Sequence, residues 1–115
     1  MKRIEAIVGS EKVLAVNEAL KNAGVGGYTI LEAKGRGKGE KPVVEIGRGT
    51  GKYVSEFSVR ADVVIVVDDS DVDKVINTIV DTVSTGSAGD GKIFISPIAD
   101  AVDIGTKKHG QTAIV

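Results

Sequence analysis

Polar and apolar positions alternate at the start of the chain, with Ile4, Ala6 and Val8 on one side and Arg3, Glu5 and Ile7 on the other. A period of two predicts a strand over residues 2–8 with one buried face. Ile7 is the apolar residue on the polar side, and it either packs there or lines a ligand pocket. The period then changes. Val13, Val16, Ala19, Leu20 and Ala23 recur at helical spacing between a Gly9-Ser10 cap signal and Gly24, which predicts a helix of about 13 residues. A glycine-rich turn at 24–27 leads into a second strand over 28–33. Residues 61–67, ADVVIVV, are almost continuously apolar and β-branched, as a central strand covered on both faces should be. Asp68-Asp69-Ser70 stops it, and Ser70 with Asp73 makes a capping-box pattern. Val72, Val75, Ile76, Ile79, Val80 and Val83 then mark the clearest helix of the chain, over 71–84. A short strand at 92–96 ends at Pro97. Residues 98–115 hold a short strand or turn at 100–104 and then a polar tail.

Residues 34–58, KGRGKGEKPVVEIGRGTGKYVSEFS, show no clear period. Six glycines and the cations Lys34, Arg36, Lys38, Lys41, Arg48 and Lys52 make this a basic, flexible excursion; loops of that length in compact domains are usually functional or disordered. The alternative is a solvated hairpin in which residues 43–46 pair as a short strand. The element order is β-α-β, long loop, β-α-β, the split βαβ or ferredoxin-like α+β sandwich. Two helices cover only one face of a four-stranded sheet, so the other face is expected to be buried by self-association.

Composition narrows the function classes. A chain of 115 residues reads as a single domain, 1–115. Fifteen basic and sixteen acidic residues give a net charge of −1, so no global field attracts nucleic acid or an anionic membrane. Only Tyr28, Tyr53, Phe57 and Phe94 are aromatic, too few for a base-stacking platform. The absence of cysteine removes disulfides, thiol catalysis and thiolate metal sites, and one histidine, His109, cannot build a metal centre alone. No apolar run approaches the roughly 20 residues of a membrane span, and the N-terminus lacks a signal-peptide pattern. A soluble, cytoplasmic protein is expected.

The candidate chemistry lies in TGSAGDGKIF, residues 85–94. Gly86, four residues and Gly91-Lys92 approach a hydrolase phosphate loop, but Ile93 stands where a magnesium-binding hydroxyl belongs, and the loop runs from helix to strand, the reverse of that motif. Gly86, Gly89 and Gly91 can still turn backbone N–H groups inward as an anion nest, with Lys92 adding charge. The bland alternative is a glycine-rich turn with a solvated lysine.

Thr85-Gly86-x-x-Gly89-Asp90-Gly91-Lys92-Ile93-Phe94 resembles the B-loop signature of the PII signal-transduction family. The start MKRIEAIV, the 24–27 turn before Tyr28-Thr29, the Lys34-Gly35-x-Gly37 entry to a long loop, and Tyr53 and Phe57 near its end follow in family order. The resemblance covers residues 1 to about 98 and implies a homotrimer of ferredoxin-like subunits with adenine-nucleotide sites in the clefts between neighbours. It places a T-loop at 35–58, the B-loop at 85–92 and a C-terminal segment at 98–115. By position, Ile7, Thr29, Gly35, Gly37, Lys38 and Val66 would line the base and ribose, and Gly86, Ser87, Gly89, Asp90, Gly91 and Lys92 the phosphates. Arg60 stands where the family has a lysine. Arg36, Lys41, Arg48, Lys52 and Tyr53 would belong to the surface that docks on a transporter or metabolic enzyme. No catalytic residue, catalytic cofactor or metal is implied, and no modification is expected at Tyr53, whose surroundings differ from those of the family's uridylylated tyrosine.

The departures shape the expected ligand. Gly39 replaces the family's glutamine that helps hold magnesium and 2-oxoglutarate. Ser87 replaces a lysine, and Asp103 and Gly105 stand where the family has two phosphate-gripping arginines. Each charge-assisted contact contributes about 1.5–3 kcal/mol, so ADP or AMP is expected to rival ATP unless Arg36, Lys38, Lys107, Lys108 or His109 compensates. This pattern is closer to the branch of PII-like proteins in carbon metabolism, including bicarbonate-linked members, than to the nitrogen sensors. Two other classes remain: a nucleotide-independent ferredoxin-like trimer acting as a structural or small-ligand module, and an enzyme on phosphorylated substrates. The enzyme reading is weak because no nucleophile and base are paired by spacing.

Overall fold

The computed structural model describes residues 1–38, 43–46, 51–54 and 56–115, with the backbone alone at 43–46 and 51–54. Strand β1 (Lys2–Gly9) leads through a 3-10 turn (Ser10–Lys12) into helix α1 (Val13–Asn22), then β2 (Thr29–Gly35). A hairpin of β3 (Val43–Ile46) and β4 (Gly51–Val54) precedes β5 (Ser58–Val67), a second 3-10 turn (Asp69–Asp71), helix α2 (Val72–Val83) and β6 (Gly91–Pro97). The main sheet is antiparallel, in the order β2-β5-β1-β6. This is the ferredoxin-like α+β sandwich that the element order predicts.

Both helices lie on one face. Ile4, Ala6 and Val8 of β1 and Ala61, Val63 and Ile65 of β5 point at Val16 and Leu20 of α1 and Val75, Ile79 and Val83 of α2, and together they form the buried core. Fully burying one such aliphatic side chain stabilises by about 1.5–3 kcal/mol. Alternation along β1 and β5 therefore fixes which side chains are left for the opposite, outer face. Directly opposed residues of an antiparallel ladder share a face, so that outer face carries two rows: Thr29, Val64, Glu5 and Phe94, and beside it Leu31, Asp62, Ile7 and Lys92.

Several local expectations change. Ser10 and Ser70 do not cap the α-helices. A 3-10 turn precedes each helix, and at the second it is Asp68, in extended conformation, whose carboxylate accepts from Asp69 N–H at 2.9 Å. Ser70 donates its hydroxyl to Asp68 instead. At the far end of α1, Gly24 at φ +78° lets its N–H reach Lys21 O and that of Val25 reach Leu20 O, closing the helix in a Schellman turn. The 34–58 segment is not without structure: β2 and β5 extend to the Gly35↔Ser58 pair, and Val43↔Val54 to Ile46↔Gly51 form a hairpin. The C-terminal segment is likewise more than a polar tail. Val102 bridges to His109, Gly110 N–H donates to Ala101 O at 2.9 Å, and a 3-10 turn spans Gly110–Ala113.

Candidate functional site

The site grows from the end of the sheet where β1 finishes and β6 begins. Gly91 pairs with Val8 and Lys92 with Ile7, so the loop 84–90 hangs directly over the end of β1. Gly91 is required there. At φ +137° an added Cβ would sit 2.2 Å from the carbonyl oxygen of Ile7, closer than any side chain tolerates. Gly86 supplies the second unusual turn, at φ +86°.

Inside the loop Asp90 acts as a brace. Its carboxylate accepts from Thr85 N–H at 2.6 Å, Thr85 hydroxyl at 2.6 Å and Ser87 N–H at 3.2 Å. The Thr85 hydroxyl first, with the backbone N–H groups after it, holds the Asp90 carboxyl below its ordinary range. Gly89 N–H in turn donates to the Ser87 hydroxyl at 3.1 Å. The inward N–H groups of Thr85 and Ser87 thus meet an anion supplied by the loop itself. The glycine spacing predicts a nest; it does not reveal that Asp90 points into it.

Arg60 ties this loop to the neck of the long one. Its Nη1 donates to Gly89 O at 3.0 Å and its Nε to the Ser58 hydroxyl at 3.1 Å, while Ser58 donates to Gly35 O at 3.3 Å. A Cβ on Gly35 would lie 3.2 Å from Arg60 Cγ, so glycine there leaves room for the guanidinium. Arg36, one residue further, pairs with Glu56 at 2.8 Å across the exposed neck. Gly37 and Lys38 follow on the exposed side. Lys41 and Arg48 lie outside the described residues, as does Gly39; Lys52 and Tyr53 sit in β4, opposite Glu45 and Val44.

The structure therefore brings together Ile7, Gly35, Arg60, Gly89, Gly91 and Lys92 at one end of the outer face. Thr29 lies in the next row, and the residue beside it is Val64. Val66 pairs with Arg3 near the opposite end of the sheet, where it joins Gly26, Gly27 and Asp68 around a separate cavity of about 360 Å³. Sequence reading passes over Val64 because β-branched residues run continuously through β5; only the β2–β5 register separates it from Val66.

Asp62 is the other residue that the sequence does not single out. It stands between Leu31 and Ile7, and among the described residues its buried Oδ1 has no hydrogen-bond partner. Burial first, and the neighbouring Glu5 carboxylate second, push its carboxyl up. Glu5 moves the other way, held down by its contact with Asp62 and by Arg3, whose Nη2 donates to Glu5 at 2.9 Å. The opposite directions describe a coupled carboxyl pair in which protonation favours the more buried Asp62. A raised native value means that the protonated form is favoured on folding, so this contribution is fully present below the ordinary carboxyl range and is lost as pH rises through the raised native value. Asp62→Asn is accordingly expected to stabilise the protein at pH 7.5 and to change it little at pH 4, as urea denaturation at both values will read. Equal effects at both values would refute the raised Asp62 carboxyl.

Residues 1–108 match the protein-family model described as Nitrogen regulatory protein P-II. The chain belongs to this PII family. It is 41% identical over 114 residues to Nitrogen regulatory protein P-II of Azospirillum brasilense, covering 99% of this chain and all of that one. The protein of the same name from Nostoc punctiforme is 42% identical, again over 99% of this chain and all of the relative. Nitrogen regulatory protein P-II 2 of Methanothermobacter thermautotrophicus is 42% identical, over 99% of this chain and 97% of that one. PII proteins are regulatory signal transducers rather than enzymes, form homotrimers, bind adenine nucleotides and act on partner enzymes and transporters. The outer face has the apolar character of a self-associating surface, with Leu31 and Phe94 about half exposed in the single subunit. Among the described residues, no helix is long and apolar enough to cross a membrane, and no group of three metal-ligating side chains converges.

Proposed function

We propose that this PII protein is a cytoplasmic regulator that binds an adenine nucleotide in each cleft between subunits and controls a membrane transporter or metabolic enzyme through residues 35–58. The observation that carries the reading is the Arg60 bridge, which joins Gly89 of the B-loop to Ser58 and Gly35 at the neck of the T-loop. Any phosphate that competes for this guanidinium, or for the Gly89 to Lys92 backbone, changes how the neck is held. Ligand occupancy and T-loop conformation are then one coupled equilibrium, in which the nucleotide shifts populations by its differential affinity for the two states.

This reading assigns Lys92, at the start of β6, to phosphate, with Lys38 beyond the neck as a compensating cation, and Ile7, Thr29 and Val64 to the base and ribose. Ser87, Asp103 and Gly105 supply no cation. Asp103 is committed to a turn, its Oδ1 accepting from Thr106 N–H at 2.9 Å. ADP or AMP is therefore expected to bind as well as ATP. With Gly39 in place of a magnesium-supporting glutamine, 2-oxoglutarate is expected to add nothing, which fits carbon metabolism, including a bicarbonate-linked role, better than nitrogen sensing.

Calorimetric titration with ATP, ADP and AMP, with and without magnesium, 2-oxoglutarate and bicarbonate, tests this. Comparable constants for the three nucleotides support the proposal, and enhancement by bicarbonate supports the carbon link. Tight ATP binding strengthened by 2-oxoglutarate would replace it with a nitrogen-sensing role. One observation favours the nucleotide-independent module: Asp90 already occupies part of the B-loop's own nest. Failure of all three nucleotides to bind would select that reading.

A further inference from the structure

The adenine-nucleotide site makes no use of Asp62, whose place in the sheet is unusual for a carboxylate. It lies on the outer face of β5, between Leu31 of β2 and Ile7 of β1 in one cross-strand row. Its Oδ1 is buried and, among the described residues, has no hydrogen-bond partner. Few charged groups share this face. On β1, Glu5 stands diagonally across from Asp62 and touches it, and Arg3 donates to Glu5 at 2.9 Å. On β5 itself, Arg60 is turned to Gly89 O at 3.0 Å and the Ser58 hydroxyl at 3.1 Å. On β6, Lys92 lies beyond Ile7 in the same row, two strands and about 10 Å away. The outward residues of β2 are Thr29, Leu31, Ala33 and Gly35, none of them charged, and both helices pack on the opposite face.

Two carboxylates facing one guanidinium leave a negative charge in excess. In a single subunit, water beside the face can solvate it. Leu31, which flanks Asp62, and Phe94, which flanks Glu5, are each about half exposed, so a second copy that covers these apolar side chains covers the carboxyl pair with them. Withdrawing water from a carboxylate disfavours its charged form, and a buried charge without a partner is strongly unfavourable. Protonated, Asp62 becomes a donor that can reach the Glu5 carboxylate. Arg3 then balances the one charge that remains.

We propose that assembly of the homotrimer across the outer face takes up one proton at each Asp62, so that acid tightens and alkali loosens the contact between subunits. The proton comes from solvent and stays on the Asp62 carboxyl. Burial first, and Glu5 second, already push this carboxyl up within the single subunit, and covering the face acts in the same direction. A group whose value rises on assembly contributes fully at pH below its value in the free subunit, and the contribution is lost as pH rises through the higher value of the assembled state. With one proton per subunit, the association constant of the trimer falls by as much as about a thousandfold per pH unit inside that interval. This link rests on family membership and on the outer face, and not on which nucleotide binds.

Exchange of subunits between isotope-labelled and unlabelled trimers reads the strength of the contact even where dilution does not dissociate it, since affinity differences within one interface lie mostly in the off-rate. In a fixed concentration of urea below the unfolding transition, hybrid trimers counted by native mass spectrometry after removal of the urea are expected to form at least about tenfold faster at pH 7.5 than at pH 5. Asp62→Asn, neutral at both values, is expected to exchange slowly at both. Glu5→Gln, which leaves Arg3 to balance Asp62, is expected to flatten the dependence and carries the test by itself if the first variant fails to fold by circular dichroism. Asp81→Asn, an exposed carboxylate of α2 on the helix side, should exchange as the parent protein does at each pH. Equal rates for the parent at the two pH values would overturn the proposal, as would a pH dependence that survives intact in Asp62→Asn or, where that variant does not fold, in Glu5→Gln.

Discussion

Gly91→Ala is expected to destabilise the protein by at least about 3 kcal/mol, more than a typical single substitution, and to abolish nucleotide binding in whatever remains folded. Two independent costs combine. The φ of +137° lies in a region that an alanine occupies only with strain, about 1–3 kcal/mol by itself. The new Cβ would also meet the Ile7 carbonyl at 2.2 Å, and that obstacle is backbone in the middle of the sheet. It cannot rotate away as a side-chain tip could. Relief requires β6 to separate from β1 at the Gly91↔Val8 pair, which moves Lys92 away from Ile7 and releases the loop that Asp90 braces. Denaturant unfolding monitored by circular dichroism measures the first effect and calorimetry the second. A midpoint within experimental error of the parent protein would show that the loop re-forms with a different backbone, and that the close approach is not required.

How far these features are legible in the sequence depends on the range of the interaction behind each. The alternation in β1 and the i, i+3, i+4 pattern of α2 report burial against a single face, a property of each segment alone, and both elements lie where the pattern puts them. The β3–β4 hairpin is harder to read: four-residue strands separated by glycines and cations carry no period, and pairing between strands, not burial, defines them. Caps fail for a different reason. Ser70 and Asp68 are both competent acceptors, and the choice falls to the residue that β5 delivers in extended conformation, which is Asp68. The placement of Val64 beside Thr29 follows from the β2–β5 register, a relation between segments that are distant in sequence. Asp62 is invisible for the same reason, since its partner Glu5 lies in another strand. Residue types within the B-loop do announce a glycine-rich turn, with Gly86 and Gly91 at positive φ. That the Thr85 and Ser87 N–H groups donate to the loop's own Asp90 is decided by side-chain geometry.

That self-occupied loop bears on the second large effect. Lys92→Ala is expected to weaken ADP binding by about 10- to 150-fold, the equivalent of the roughly 1.5–3 kcal/mol of one charge-assisted hydrogen bond. Lys92 is exposed on the outer face, in the row of Asp62 and Ile7, and no hydrogen bond or ion pair of its side chain holds the subunit together among the described residues. Its removal should leave the unfolding midpoint unchanged, which separates this variant from Gly91→Ala. The expected loss is large because alternatives are few. Ser87 is neutral, the inward N–H groups of Thr85 and Ser87 are engaged by Asp90, and Arg60 is shared between Gly89 O and the Ser58 hydroxyl. Any contact that a phosphate without Lys92 makes with Arg60 or with the Thr85 and Ser87 N–H groups is offset by a broken internal bond. Titration of the variant with ADP at low and moderate salt is the measurement. Affinity within a factor of two of the parent would mean that phosphate is held by other cations, and Lys107 and Lys108 of a neighbouring subunit would be the next pair to replace.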